Sequence, residues 1–261
     1  MRIGLSTATY FGKLLTEDAL SEIKAMGAPV CEVFLTTYSE YGPEFAEVLR
    51  PRAEGIEVHS IHTLNTNFEP QLYNRAERTF RDAEELFRKT LDTARKLRAS
   101  CYTFHGVARL KKKSYDLDYA AIGERTNRLI AICAEYGVSL CYENVHWAYY
   151  AFPGFFRELS RWCPDLCACL DIKQAMQSGE DYKKYLDDMG DRLRTVHICD
   201  YDENGKLTLP GKGIFPFKEL FSILRDYPKD LPVLLELYSD EYRDLAEVRN
   251  CYHDMCELAG L

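Results

Sequence analysis

Eight short apolar runs, with longer amphipathic stretches between them, constrain the fold of this chain more than any other feature of its 261 residues. Strict alternation of strand-like and helix-like segments indicates parallel strands joined by crossover helices, and eight such units close as a (β/α)8 TIM barrel, an α/β fold. The predicted strands lie at 2–6, 30–35, 56–61, 101–105, 138–143, 167–171, 195–199 and 232–237. The predicted helices lie at 14–26, 73–98, 118–136, 154–162, 181–189, 216–226 and 240–258.

The main alternative is a doubly wound open sheet, which would carry a glycine-rich phosphate turn after its first strand. Residues 7–12 read TATYFG and contain no G-x-G-x-x-G pattern, so the barrel is favoured. No linker, low-complexity tract or composition shift divides the chain. We therefore expect a single TIM-barrel domain over residues 1–261.

Charge and cysteine usage limit the partners and the compartment. A formal net charge of -8 argues against a nucleic-acid partner, which would normally require a basic stripe. The ten cysteines lie mostly within apolar strands or helices and form no paired CxxC zinc pattern, so we expect reduced, buried thiols. The sequence has no signal peptide or transmembrane run, which predicts a cytoplasmic protein without a membrane partner.

Four polar residues stand at or near the ends of consecutive apolar strands: Glu143, Asp171, His197 and Glu236. A charged group at such a place costs free energy unless it is paired or binds a metal. Because adjacent strand ends lie side by side at the mouth of a barrel, we expect one shared cluster. Three carboxylates in one cluster stay ionised only beside a cation, and these ligand types suit Mn²⁺, Mg²⁺ or Co²⁺, with Zn²⁺ as a further candidate. The alternative is four separate salt-bridged strand ends.

With these motifs the chain resembles the xylose-isomerase-like TIM barrels, which include sugar phosphate isomerases/epimerases, ketose 3-epimerases, inosose dehydratases and endonuclease IV. The resemblance covers essentially the whole chain and is clearest from Gly137 onward. The segments that carry it read CYEN at 141–144, LDIKQ at 170–174, VHICD at 196–200, LPGKG at 209–213 and LLE at 234–236.

The resemblance implies that Glu143, Asp171, His197 and Glu236 are the ligands of one divalent metal ion. In the epimerase branch the two glutamates also transfer protons on opposite faces of the substrate, so Glu143 and Glu236 are the implied catalytic pair. The implied function is a metal-dependent isomerase or epimerase of a small sugar, sugar phosphate or polyol, acting by proton transfer through a metal-stabilised enediolate. The chemistry agrees, because a metal that polarises a ketone and its neighbouring hydroxyl lowers the pKa of the C–H between them.

One position departs from the family pattern. Many members have Asp-x-x-His on the sixth strand, where this chain has Gln174, an amide that can hydrogen-bond a hydroxyl but is a poor metal ligand. The Asp-x-His that helps to build the three-zinc site of endonuclease IV is also missing after Asp200. Together with the acidic net charge, these differences argue against endonuclease activity.

Five further residues are candidate substrate contacts. His62 and His105 end the third and fourth strands, and His146 follows the fifth strand on the same face of the barrel. Gln174 follows the sixth strand, and Lys212 lies in a glycine loop ahead of a helix, where backbone amides can hold a phosphate. The alternatives are structural histidines, a loop that covers the core, and a turn that packs against the barrel rim.

Two weaker candidates complete the set. Glu32 on the second strand is a minor candidate for the substrate site, on the expectation that it points into the barrel mouth. The lysine run at 111–113 follows the fourth strand, where it would either attract an anionic substrate or form a solvated loop.

Two other functions stay open. An inosose-type dehydratase, which is a lyase, would use the same metal and base but expel a β-hydroxyl as water. A catalytically silent carbohydrate-binding barrel would sense or store a sugar, although binding alone would not require two facing carboxylates. In each case the partner is a small-molecule sugar or polyol, and the sequence leaves a homo-oligomer open.

Overall fold

The computed structural model describes residues 1–64, 67–109 and 116–261. Their strands are β1 (Arg2–Ser6), β2 (Val30–Leu35), β3 (Glu57–Thr63), β4 (Cys101–Phe104), β5 (Ser139–Glu143), β6 (Cys167–Asp171), β7 (Leu193–Ile198), β8 (Asp200–Tyr201), β9 (Leu207–Thr208) and β10 (Pro232–Leu235). Within these residues, eight parallel strands close into a barrel in the order β1-β10-β7-β6-β5-β4-β3-β2. The predicted TIM-barrel fold is confirmed. β8 and β9 form a separate antiparallel hairpin.

The first strand closes the barrel by pairing on both sides. Leu5 on β1 lies opposite Leu235 on β10 and opposite Cys31 on β2. Every residue of β2 is buried. Strands that are covered on both faces read as nearly continuous apolar runs, which is why the strand positions could be found in the sequence.

Two short helices, α2 (Pro43–Leu49) and α6 (Ile172–Gln177), were not predicted from the sequence. α6 follows β6 without a loop, because the Asp171 carboxylate at the end of the strand accepts a hydrogen bond from the backbone N–H of Gln174 and so caps the helix. The helices are α1 (Thr16–Ala25), α2 (Pro43–Leu49), α3 (Glu77–Leu97), α4 (Tyr119–Glu135), α5 (Phe155–Trp162), α6 (Ile172–Gln177), α7 (Tyr182–Met189), α8 (Phe217–Leu224) and α9 (Leu245–Ala259).

Several strand bounds differ from the prediction. β3 extends beyond residue 61, because His62 and Thr63 continue the pairing with β2. β7 begins at Leu193, since this residue already pairs with β6. The predicted strands 101–105 and 232–237 end slightly earlier, where the chain turns away to form the barrel mouth.

All ten cysteines lie in the described residues and are free thiols, and all but Cys256 are buried. This agrees with the expectation of reduced thiols packed as small apolar groups. Among the helices of the described ranges, none combines the length and the apolar character needed to cross a membrane.

Candidate active site

The structure brings together the four residues that the strand ends predicted. Glu143 and Asp171 are the last residues of β5 and β6, His197 is in β7, and Glu236 follows β10 directly. All four side chains are buried, and each offers one ligand atom within 4.8 Å of the others. The barrel closure therefore converts four distant sequence positions into one cluster at its C-terminal mouth.

His197 lies at the centre of this cluster. Its Nδ1 is 3.3 Å from Glu143 Oε1 and 3.4 Å from Glu236 Oε2. Its Nε2 points the other way and lies 3.3 Å from Glu32 Oε1. An N–H directed at Glu32 would leave the Nδ1 lone pair facing the carboxylates, which is the arrangement that a metal-binding histidine needs.

Glu32 was predicted as a minor candidate for the substrate site, but it lies deep in the barrel. Its Oε2 accepts hydrogen bonds from Ser60 Oγ and Thr103 Oγ1, each at 2.7 Å, and its Oε1 accepts one from Ser6 Oγ at 3.0 Å. Burial raises its pKa, but the neighbouring imidazoles more than offset burial and hold the pKa well below its usual range. Glu32 is thus an ionised support of the site, and the cavity described below is not lined by it.

A second group of side chains connects to this support. His105 Nδ1 lies 3.0 Å from Glu69 Oε2, and His105 Nε2 lies 2.9 Å from His62 Nε2. Because Nδ1–H of His105 donates to Glu69, its Nε2 accepts from His62. His62 Nδ1 then lies 3.4 Å from Glu32 Oε1. Burial lowers the pKa of His62, but Glu32 outweighs burial and raises it to about 9, so His62 is an imidazolium paired with Glu32.

Glu69 is the residue of this group that the sequence analysis missed. It is fully buried, and it also accepts hydrogen bonds from Thr63 Oγ1 at 3.2 Å and Tyr102 OH at 2.8 Å. It stands in a polar stretch after β3 that contains a proline and several amides, and no periodicity marks it. The role of a buried carboxylate of this kind can be identified only from the structure, which places it beside His105.

The ends of β5 and β6 are tied together by an amide. Asn144 Nδ2 donates to the carbonyl oxygen of Asp171, and the Asp171 N–H donates to Asn144 Oδ1, both at 2.8 Å. Gln174 Oε1 accepts hydrogen bonds from His146, from its N–H at 3.2 Å and from Nδ1 at 2.6 Å. His146 therefore orients Gln174, and it is absent from the described residues that line the cavity, in contrast to the substrate contact predicted for it.

A cavity of about 670 Å³ opens above the cluster. Its walls are mainly apolar and aromatic, with Phe11, Phe34 and Trp147 among them. Such a surface with a few convergent polar groups is typical of a small-molecule site. The polar groups that reach it include His62, His105, Glu143, Lys173, Gln174 and Glu236.

Lys212 does not lie at this cavity, and its loop does not offer free amides. The N–H groups of Gly211 and Gly213 donate to Asp200 Oδ2 at 2.9 Å, and the N–H of Lys212 donates to Leu209 O at 3.0 Å. The Lys212 side chain is exposed. The loop is therefore organised by the Asp200 carboxylate, which accepts hydrogen bonds from two of the amides that were expected to hold a phosphate. The lysine run at 111–113 lies outside the described residues.

The donor set at the cluster fits a divalent metal ion. Asp171 Oδ2 and Glu143 Oε2 are buried and accept no hydrogen bond within the described residues. Burial raises the pKa of Asp171, as do the nearby carboxylates Glu143 and Glu236, whereas Lys173 lowers it, and the net pKa is well above its usual range. Hard oxygen ligands with one imidazole are the chemistry of Mn²⁺, Mg²⁺ and Co²⁺ sites, and Zn²⁺ accepts the same groups.

Comparisons with known proteins agree with the fold. A family model described as xylose isomerase-like TIM barrel matches residues 20–251. The crystal structure of D-psicose 3-epimerase in the presence of D-fructose aligns with a TM-score of 0.78 at 17% identity over 100% of both chains. The IOLI protein with a bound zinc atom gives 0.81 at 14% identity over 100% of this chain and 98% of the other.

A third solved structure, 3-keto-D-glucoside 4-epimerase, YcjR, from E. coli in its apo form, gives a TM-score of 0.76 at 17% identity over 98% of this chain and 99% of that one. No curated protein matches the chain by sequence. At these identities the structural similarity establishes the barrel fold, and the family match identifies the lineage.

Proposed function

The chain belongs to the xylose isomerase-like TIM barrel family, and on this basis we propose that it is a metal-dependent isomerase or epimerase of a small sugar, sugar phosphate or polyol. The observation that carries the proposal is the position of two glutamates. Glu143 and Glu236 come from different strands and both lie within 3.4 Å of His197 Nδ1 at the floor of the cavity. Two carboxylates at one cavity can supply the base and the acid that proton transfer on two faces of one substrate requires.

Glu143, Asp171, His197 and Glu236 would hold one divalent cation. When bound, such a cation polarises a carbonyl group and a neighbouring hydroxyl, which acidifies the C–H bond between them. Glu32 supports this arrangement because it lies against Nε2 of His197 and orients the imidazole.

The two glutamates would transfer the protons. One carboxylate removes the proton from the acidified carbon and leaves an enediolate, and the other returns a proton from the opposite face to give the epimer. Return of the proton to the adjacent carbon gives the aldose–ketose isomer instead. Burial raises the pKa of Glu236, but Lys173 and His197 more than offset burial and hold it well below its usual range, so this carboxylate is ionised and able to act as the base.

The upper cavity would orient the substrate. His62, His105 and Gln174 line it, and the ring of Trp147 lies tilted beside His105 with 5.4 Å between ring centroids. The ring nitrogens of the two histidines contact Glu32, Glu69 and each other, so the amide of Gln174 is the group that would bond a substrate hydroxyl. Aromatic faces pack well against the C–H faces of sugars. An enzyme of this type with free, mostly buried thiols suits a reducing compartment such as the cytoplasm.

Solvent-exchange NMR tests the proposal. The Mn²⁺-reconstituted protein is incubated in D₂O with a panel of ketoses, aldoses and keto-polyols, each free and phosphorylated. The metal is then removed, and loss of the NMR signal of the C–H next to the carbonyl is measured. We expect exchange and interconversion with at least one sugar, and their loss in Glu236→Gln and Glu143→Gln. A product lighter by one water would indicate the dehydratase instead. A metal-loaded protein that exchanges no proton with any of them would contradict the proposal.

A further inference from the structure

Lys173 places a positive charge among the residues proposed to hold the metal. Its side chain is only 3% exposed, and its Nζ donates a hydrogen bond to Glu236 Oε2 at 3.2 Å. The same Nζ lies 3.7 Å from Asp171 Oδ2 and 4.3 Å from the ring centroid of Tyr238. Lysine is almost never buried to this degree unless it is paired, so the ammonium and the two carboxylates form one charged unit.

The geometry keeps this lysine charged. Its Nζ lies within 3.7 Å of a carboxylate oxygen of both Glu236 and Asp171, and these oxygen atoms stabilise the ammonium inside the barrel. A long flexible side chain at the barrel mouth would ordinarily extend its charged end into water. Here the side chain is instead folded into the cluster, where the carboxylates replace the lost hydration.

The ammonium lies beside oxygen atoms of two of the proposed metal ligands. Lys173 Nζ is 3.2 Å from Glu236 Oε2 and 3.7 Å from Asp171 Oδ2. A divalent cation held by the same oxygen atoms would be repelled by the ammonium, so lysine and metal would compete for the same two carboxylates.

We propose that Lys173 is a built-in counter-ion of the metal site, which holds Asp171 and Glu236 together before a metal binds and competes with the metal for their charge. The inference rests on the proposed function, because it presupposes that the cluster binds a metal. Lys173 acts here as a positioning residue, through the two carboxylates. As a consequence, the metal-free protein keeps its site assembled. The metal is also bound less tightly than it would be by the four ligands without Lys173.

Equilibrium binding of Mn²⁺ to the full chain tests this inference. The affinity is measured by titration calorimetry for the wild type, Lys173→Met and Lys173→Gln, the last of which can still donate a hydrogen bond to Glu236. Lys183→Met is the matched control, because Lys183 is a half-buried surface lysine whose Nζ lies 2.7 Å from Glu219 Oε1. Thermal unfolding of each protein with EDTA and with Mn²⁺ gives a readout independent of activity.

Removal of a nearby positive charge should tighten Mn²⁺ binding by about tenfold or more in both Lys173 variants, with no change in Lys183→Met. The metal-free Lys173 variants should melt lower than the wild type, and Mn²⁺ should raise their Tm by more than it raises the wild-type Tm. Folded Lys173 variants that bind Mn²⁺ as the wild type does, or more weakly, would overturn the inference. If the wild type itself binds no Mn²⁺, the proposed function fails first and this inference fails with it.

Discussion

The Nδ1 atom of His105 lies 3.0 Å from Oε2 of Glu69, a fully buried carboxylate. Glu69 is not among the described residues that line the cavity. This contact fixes the tautomer of His105 and turns its Nε2 toward His62 and the cavity. The substrate face of the site is therefore set by a residue behind it. A histidine held in this way keeps one orientation without the help of substrate, which lowers the cost of binding.

Replacement of Glu69 by glutamine should therefore impair the site without unfolding the protein. Glutamine has nearly the same shape, but it is a weaker acceptor for Nδ1–H of His105, and we expect kcat/KM to fall by about 10- to 100-fold. The histidine tautomer can be followed directly by ¹⁵N NMR. Tyr102→Phe is the control, since it removes another hydrogen bond to the same carboxylate and leaves His105 in place. Equal losses in the two variants would count against a specific role for the Glu69–His105 contact.

Asp200 should matter for stability and leave the metal site intact. Its carboxylate accepts hydrogen bonds from the N–H groups of Tyr201, Gly211, Gly213 and Phe215. Asp200→Ala leaves these donors without their acceptor, and we expect a loss of about 3 kcal/mol or more in the free energy of unfolding, measured by urea denaturation.

Asp200→Asn and Lys212→Ala complete this test. Asparagine keeps one acceptor oxygen and should lose less stability than alanine, whereas Lys212 has an exposed side chain and its replacement should cost under about 0.5 kcal/mol. The metal content of the folded variants should equal that of the wild type. A large loss of turnover on a phosphorylated sugar in Lys212→Ala would restore the phosphate role that the loop geometry argues against.

The stability of the protein should also depend on the protonation of Glu241. Burial raises its pKa to about 7, although the thiol of Cys199, which donates to Oε2 at 3.3 Å, acts against this shift. Between its unfolded pKa near 4.5 and about 7, the folded state therefore binds more protons than the unfolded state. The contribution of Glu241 to stability is present at acidic pH and is lost as the pH rises through this window.

Glu241→Gln should remove the loss of stability that Glu241 causes as the pH rises. Relative to the wild type, the variant should gain in Tm between pH 5 and pH 8, measured by differential scanning calorimetry at constant ionic strength. The exposed Glu203→Gln controls for the change of residue type alone. A wild type and a Glu241→Gln variant with parallel stability profiles would show that Glu241 titrates alike in the folded and unfolded states.

The sequence could predict the fold and the centre of the site because both follow from simple periodicity. Parallel strands that are buried on both faces leave continuous apolar runs, and a charge at the end of such a run is conspicuous. Asp171 and Glu143 were found in this way, and the closure of the barrel placed them beside His197 and Glu236.

The supporting residues could not be predicted in the same way, because their roles depend on contacts across the barrel. Glu69 has no periodic signal, and Glu32 lies too deep for the substrate role suggested by its strand. His146 follows a strand on the correct face but turns toward Gln174. The sequence places Lys173 two residues after Asp171 at the barrel mouth, and only its burial reveals its place among the carboxylates.

Metal stoichiometry tests the central claim most directly. The purified protein is stripped, reconstituted with Mn²⁺, dialysed and analysed for metal beside His197→Ala, with His253→Ala as a control for loss of an exposed histidine. The account predicts about one equivalent per chain in the wild type and in His253→Ala, and well under one tenth of that in folded His197→Ala. A wild type that holds no metal, or a folded His197→Ala that holds as much as the wild type, would contradict it.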